Sequence, residues 1–344
     1  MGAPLAAFAP GRVNLIGDHT DYTGGLAMPI AIELGTEVSY RSDPRSSVVE
    51  LASTNEQQPA KVPVDLPADS IEIAMLLPEW SRHLAGVVCA LRPGSGGSGE
   101  VTSELPVGAG LSSSASLGVA CALALGFTGS PRELALSCRQ AEELATGVAT
   151  GILDQLAIAS GIEGHAMVMD CQSLELRHVR VPPEVDVVVV HSGSERTLAG
   201  TAYGTRRDEC RAAEAEIGPL RACRPPDVDR LRDPLLRRRA RHVVGENARV
   251  RAFAGAFEHE DLREAGRLMN HSHQSLATDY DVSSPELDQL VGWLQGLDGV
   301  FGARLTGAGF GGCAVALARP GALAVPLTGR RHWFVHASAG AHLR

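Results

Sequence analysis

One ten-residue stretch, Pro106-Val-Gly-Ala-Gly-Leu-Ser-Ser-Ser-Ala115, constrains this chain more than any other. Two glycines and an alanine run into three consecutive hydroxyls, a combination that an apolar core does not require. Small residues let the backbone approach a ligand closely. Successive N–H groups then converge on an anion, and a helix starting there adds the positive end of its dipole. The next residues, Ser116-Leu-Gly-Val-Ala-Cys-Ala-Leu-Ala-Leu125, read as a small-residue apolar helix. The stretch is therefore read as a loop that opens a helix and cradles a phosphate. The plain alternative is a serine-capped helix after a glycine turn. It is not a Walker A loop, which needs G-x-x-x-x-G-K-S/T with a lysine on the β/γ-phosphates. No lysine follows, and Lys61 is the only one in the chain. A phosphate bound here must be neutralised by backbone dipoles, Mg²⁺ and arginine.

The 344 residues suggest two domains. With 44% hydrophobic and 21% charged residues, the chain has the balance of a globular protein with a full core. A net charge of −9 argues against nucleic acid or a membrane surface as partner. No apolar run is long enough to span a bilayer, and the N-terminus lacks the basic region of a secretory signal. Seven cysteines form no C-x-x-C pair and sit mostly among apolar neighbours. They are expected to be reduced, buried thiols of a cytoplasmic protein.

Alternating and apolar runs suggest strands at Leu5–Ala9, Arg12–Ile16 and Ile30–Tyr40. A helix is expected from Trp80 to Leu91, then a flexible turn at Pro93–Gly99 and a strand at Glu100–Leu105. Helices follow at 113–126 and 131–146, the second opening on Ser130-Pro131, and a short one follows Gly151. Gly164–Asp170 and Glu175–Val181 read as a hairpin, and Val185–Val190 as a buried strand. Beyond it, helical patterns occupy 195–217, 228–256, 259–273 and 285–296. Two strand-like runs, Gly302–Leu305 and Cys313–Leu317, flank a glycine-rich element. The expected division is 1–190 and 191–344. The basic run Arg230–Arg241 reads as a solvated helix face.

Three further segments carry chemistry. Gly11-Arg-Val-Asn-Leu-Ile-Gly-Asp-His-Thr-Asp-Tyr-Thr-Gly-Gly25 crowds Arg12, Asp18, His19 and Asp21 around a turn. Carboxylates anchor sugar hydroxyls well, because each hydroxyl both donates and accepts. An Asp-rich turn or a metal site built on D-H-x-D are the alternatives. In Gly147–Gln155, Asp154 stands among small apolar residues, where a carboxylate is costly unless paired. It reads either as a helix cap or as a carboxylate beside a substrate hydroxyl, with Arg12 as a possible charge partner. Leu305-Thr-Gly-Ala-Gly-Phe-Gly-Gly-Cys313 is a second close-approach loop, and two such loops in one chain strengthen a nucleotide reading.

In this order and spacing the segments resemble the galactokinase family of the GHMP kinase superfamily over nearly the whole chain. Ala199-Gly-Thr-Ala-Tyr203 with Arg206-Arg207-Asp-Glu-Cys210, and the region 271–291, extend the likeness. The resemblance implies an α+β, two-domain GHMP kinase fold. Its N-terminal domain would be ribosomal-protein-S5-like and its C-terminal domain ferredoxin-like, with the active-site cleft between them. It implies an ATP- and Mg²⁺-dependent sugar kinase acting on the anomeric hydroxyl, most simply that of galactose. Asp154 would sit beside that hydroxyl, and Arg12 would position and polarise it. Asp18, His19, Asp21, Gly151 and Tyr203 would contact the other hydroxyls. The backbone of Gly108, Gly110, Leu111, Ser112, Ser113 and Ser114 would hold the triphosphate. Ser113 and Glu142 would hold Mg²⁺, and the motif with Gly307 and Gly309 would close over the reacting groups. One of Arg196, Arg206 and Arg207 could reach the phosphates. The partners implied are a small sugar and ATP, with the chain a monomer or weak homo-oligomer.

Two departures stand out: Asp18 where the family usually has glutamate, and Thr23 where it usually has asparagine. The chain is also trimmed around 55–100 and at its end. The shorter aspartate is expected to alter recognition at the C4/C6 side of the sugar. A kinase for another sugar or polyol, and a non-catalytic sugar sensor, are the alternative functions.

Overall fold

In the computed structural model, which describes residues 4–106, 109–194 and 199–344, the first strand is β1 (Leu5–Ile16). The two short strands expected there are one. Pro10-Gly11 does not break it but shifts its register against β2 (Leu26–Ser42). Gly11 is required at this irregularity: a Cβ would lie 2.7 Å from the Leu111 carbonyl oxygen. Its absence lets the serine-rich loop dock on β1, with the Arg12 N–H donating to Leu111 O at 3.2 Å.

β3 (Val48–Ser53) and β4 (Ala60–Pro63) form a hairpin. After α1 (Ser70–Ala74) and α2 (Ser81–Leu91), β5 (Gly97–Ser103) begins inside the stretch expected to be a flexible turn. The glycines there serve close strand approach instead: a Cβ on Gly99 would fall 2.1 Å from the Ser39 carbonyl oxygen. α3 (Ser113–Ala124), α4 (Pro131–Thr146) and α5 (Leu153–Ser160) follow, with a Ser130–Glu133 capping box starting α4. β6 (His165–Asp170) and β7 (Leu176–Arg180) make the expected hairpin, and β8 (Asp186–His191) the expected buried strand.

The remainder is largely helical: α6 (Ala199–Ile217), α7 (Pro225–Val228), α8 (Pro234–Glu258), α9 (Leu262–Thr278) and α10 (Pro285–Gln295). The helix expected from 228 starts at Pro234 because the Asp233 carboxylate caps it, accepting from the Leu235 N–H. β9 (Val300–Thr306), β10 (Cys313–Ala318), β11 (His332–Val335) and β12 (His342–Leu343) complete the chain.

One sheet runs β12-β1-β2-β5-β3-β4, with β6 paired to β2 and β7 to β6, and a four-stranded antiparallel sheet runs β11-β8-β10-β9. The expected division at 190 falls inside β8, whose partners all belong to the second sheet. Helices α2–α5 cover the first sheet. A second core is shared by the halves: Val13, Leu15 and Met28 pack with Val187, Val315, Phe253 and Met269. This shared burial fixes the walls of the cleft. Among the described residues no helix is long and apolar enough to cross a membrane. Six of the seven cysteines are buried, and Cys223 is partly exposed.

The basic run 230–241 is not uniformly solvated. Arg239 is 2% exposed, and its guanidinium donates to Glu209 and to the Asp279 carbonyl, because its side of α8 faces the protein.

α9 crosses β9 at two glycines. A Cβ on Gly266 would lie 2.0 Å from the Phe301 carbonyl oxygen. Gly266→Ala is therefore expected to destabilise the protein by about 1–3 kcal/mol or more by overpacking, read as a lowered Tm; an unchanged Tm would show that α9 can move off the sheet.

Candidate active site

The buried strand end at Arg12–Ile16 brings an arginine to the cleft. Its Nε and Nη2 donate to Asp154 Oδ1 at 2.7 and 2.6 Å, and its Nη1 donates to the Gly110 carbonyl at 2.6 Å. The other Asp154 oxygen accepts from the Ser112 hydroxyl at 2.5 Å. Ser112 sits at φ +63°, a left-handed conformation that costs a serine on the order of 1–3 kcal/mol. The bond to Asp154 holds it there. Because that hydroxyl is turned to Asp154, Ser112 makes no side-chain cap on α3. The first-turn N–H groups of α3 therefore receive no acceptor from it, the arrangement that suits an anion. Arg12 thus acts on the Asp154 carboxylate and the loop backbone.

Asp154 opens onto a cavity of about 320 Å³ whose walls include Arg12, Asp18, His19, Asp21, Glu142, Gly151, Tyr203 and Gly307. All the residues expected at the sugar come together there. Asp21 lies against Gly151, where a Cβ would fall 1.5 Å from Asp21 Oδ2. Gly151 thus makes room for a carboxylate. His19, at φ +63°, gives Nε2–H to the Ala308 carbonyl at 3.1 Å. Its Nδ1 then accepts from the Tyr22 hydroxyl at 3.0 Å, and Tyr22 meets the Tyr280 hydroxyl at 2.5 Å. The Tyr203 ring stands edge-on to Tyr22 at 5.2 Å.

Asp18 Oδ2 is paired with the fully buried Arg304, and Oδ1 accepts from the Gly307 N–H at 3.2 Å. Gly307 therefore ties the glycine-rich motif to the sugar-type turn. Gly309 sits against the Val282 carbonyl, which a Cβ would approach to 2.1 Å. The serine touching Glu142 is Ser114, at 3.2 Å; Gln155 donates to the other carboxylate oxygen. Gly108 and Arg196 lie outside the described residues. Arg206 holds the Tyr280 and Asp281 carbonyls at 2.7 and 2.8 Å, and Arg207 the Ala149 carbonyl at 2.6 Å, so both are engaged with protein.

Burial shapes the charges. Loss of water, with the negative charge of Asp154 nearby, pushes the Asp21 carboxyl up to about 7, and the same two causes push Glu142 up to about 7. Burial pulls His19 down to about 3, so the imidazole is neutral.

Residues 1–42 match the galactokinase galactose-binding signature, 82–162 the GHMP kinase N-terminal domain, and 253–325 the GHMP kinase C-terminal domain. The galactokinase of Roseiflexus sp. (strain RS-1) is 44% identical, the match covering 90% of this chain and 82% of that protein. The human galactokinase is 41% identical, over 91% and 83%. The chain belongs to the galactokinase family. The solved Lactococcus lactis galactokinase, complexed with galactose, superposes with a TM-score of 0.90 at 32% identity, covering 98% of this chain and 95% of that one. The Methanococcus jannaschii mevalonate kinase shares the fold, with a TM-score of 0.65 at 19% identity, covering 98% and 99%. The α+β GHMP fold expected from the sequence is thus borne out.

Sequence reasoning missed Arg304, Glu246, His242 and Asn247. Arg304 left a signal, a charge in the middle of an apolar strand. The other three lie on a helix with no marked motif.

Asp21 yields a pH dependence. Between about pH 4 and 7 the folded state retains a proton that the unfolded chain has released, so stability falls as pH rises through that window. Asp21→Asn removes this loss. At pH 8 the sugar-free variant should melt a few degrees above wild type, converging with it near pH 4. A lower Tm at pH 8 would contradict the assignment.

Proposed function

We infer that the protein is an ATP-dependent sugar 1-kinase that transfers the γ-phosphoryl group to the anomeric hydroxyl of galactose. One observation carries this: Asp154, on the cavity wall, is held at once by the sugar-type strand through Arg12 and by the phosphate-type loop through Ser112. The acceptor hydroxyl and the donor phosphate are thereby referred to one carboxylate. Similarity to galactokinases over nine-tenths of the chain supports the choice of sugar.

Phosphoryl transfer asks chiefly for alignment and charge neutralisation. Asp18, Asp21, His19 and Tyr203 bind and orient the sugar. Asp154, fixed by Arg12 and Ser112, accepts the proton of the anomeric hydroxyl as its oxygen bonds to the γ-phosphorus and ADP departs. The N–H groups from Gly110 through Ser114, with the start of α3, face the triphosphate. Glu142 is a partly buried carboxyl near the Asp154 carboxylate, and among the described residues no cationic side chain is bonded to it, which suits a divalent cation. Glu142 with the hydroxyls of Ser113 and Ser114 would hold Mg²⁺, which when bound supplies positive charge to the β- and γ-phosphates. The reaction needs neither nucleic acid nor membrane, and a cytoplasmic monomer or weak homo-oligomer suffices for it.

Asp154→Asn is expected to keep sugar binding measurable while lowering kcat by about 10²–10⁴, the scale of acid–base groups, in an Mg·ATP assay with galactose. Near-normal turnover would remove Asp154 from that role. At Asp18 both oxygens are fastened, and glutamate would carry the carboxylate farther by about one C–C bond, ~1.5 Å. Asp18→Glu should therefore change the kcat/KM ratios among galactose, 6-deoxygalactose, arabinose, glucose and galactosamine. Unchanged ratios would show that Asp18 does not set sugar selectivity.

A further inference from the structure

The turn from Gly17 to Leu26, which carries Asp18, His19 and Asp21, is held from outside by one face of α8. Glu246 Oε1 accepts from the Gly17 N–H at 2.9 Å. His242 Nε2 donates to the Asp18 carbonyl at 3.1 Å, and Asn247 Oδ1 accepts from the Leu26 N–H at 2.7 Å. Val250 lies against the same turn, since a Cβ on Gly17 would come within 2.9 Å of its Cγ2. Positions 242, 246, 247 and 250 follow helical spacing and so share one face. None of them lines the cavity.

Each support is itself fixed. Glu246 is fully buried; Oε1 also takes the Ser272 hydroxyl at 2.6 Å, and Oε2 takes Arg249 Nε at 2.6 Å. His242 Nδ1 faces the Ser275 hydroxyl at 3.0 Å. Asn247 keeps a buried Nδ2 with no partner among the described residues. A buried donor left without an acceptor is destabilising, so an apolar residue would serve packing better. The acceptor on Leu26 explains why an amide stands there. Gly25 fits this contact: a Cβ at that position would stand 2.5 Å from Asn247 Oδ1.

We propose that His242, Glu246 and Asn247 are positioning residues for sugar recognition, setting where Asp18, His19 and Asp21 stand by fixing the backbone of residues 17–26. The proposal rests on the sugar-kinase reading and extends it to a helix that never touches substrate. Displacements of about 1 Å at a binding site can cost around 10²-fold. Asn247→Ala is therefore expected to raise the galactose KM about tenfold or more, leaving the Mg·ATP KM within about twofold and kcat within about threefold. Asn247→Asp, which keeps the acceptor, should restore the galactose KM. A merely structural role would lower Tm or the active fraction and leave the galactose KM in place, and that outcome overturns the proposal. So does a rise shared equally by both substrates, or a failure of Asn247→Asp to rescue. Should Asn247→Ala not fold, amide hydrogen exchange on the wild type decides. The Gly17 and Leu26 amides should be protected like the centre of β2 without sugar, and exchange as fast as exposed loops overturns the proposal. Wild-type turnover of galactose is measured first, because its absence would sink the kinase reading, whereas a normal wild type with an unshifted variant sinks the positioning role alone.

Discussion

A single carboxylate, Asp154, joins the parts of this protein that must act together. Arg12 grips it from β1 and also holds the Gly110 carbonyl; Ser112 grips it from the loop that opens α3. Charge-assisted bonds of this kind are short and about twice as strong as neutral ones. They keep a strand, a loop and the start of α5 in register, even though Arg12 and Asp154 are 142 residues apart in sequence. The left-handed Ser112 is tolerated because this junction over-determines it.

A second junction binds the C-terminal half to the same centre. Arg304, fully buried in β9, is charged only at the cost of desolvation, and the Asp18 carboxylate compensates it. Asp18 also takes the Gly307 N–H, so the glycine-rich motif is tied to the sugar-type turn. A shared apolar core connects the two halves. In the cavity, Asp21 and Glu142 are each pushed toward neutral pKa values. Carboxyls held in this way favour ligands that bring hydroxyls or cations.

Much of this was legible in the chain. The capping signal at Ser130-Pro131 located α4, and apolar alternation located β6 and β7. The site segments were legible because they break packing logic, with glycines and serines before a helix and a carboxylate among alanines. The misreadings have physical causes. Pro10-Gly11 and the glycines at 97 and 99 read as breaks, yet β1 runs on through the first with a shift of register, Gly11 admits the loop that carries Leu111, and Gly97 and Gly99 admit the backbone of β2. Arg239 read as solvated because local sequence does not reveal which side of α8 is covered.

The sequence by itself determined the kinds of group available: a lysine-free loop of amides and hydroxyls, a turn rich in carboxylates, one acid in an apolar segment, and a second glycine-rich loop. Those choices are local, set by backbone freedom and side-chain chemistry, and they survive without knowing the fold. Only the tertiary structure decided the pairings. Arg12 meets Asp154, Arg304 meets Asp18, and Glu246 and Asn247 meet the turn they support, across separations of 142, 286, 229 and 221 residues. Such contacts arise from the packing of strands and helices around shared cores, and no periodicity within any one segment encodes them.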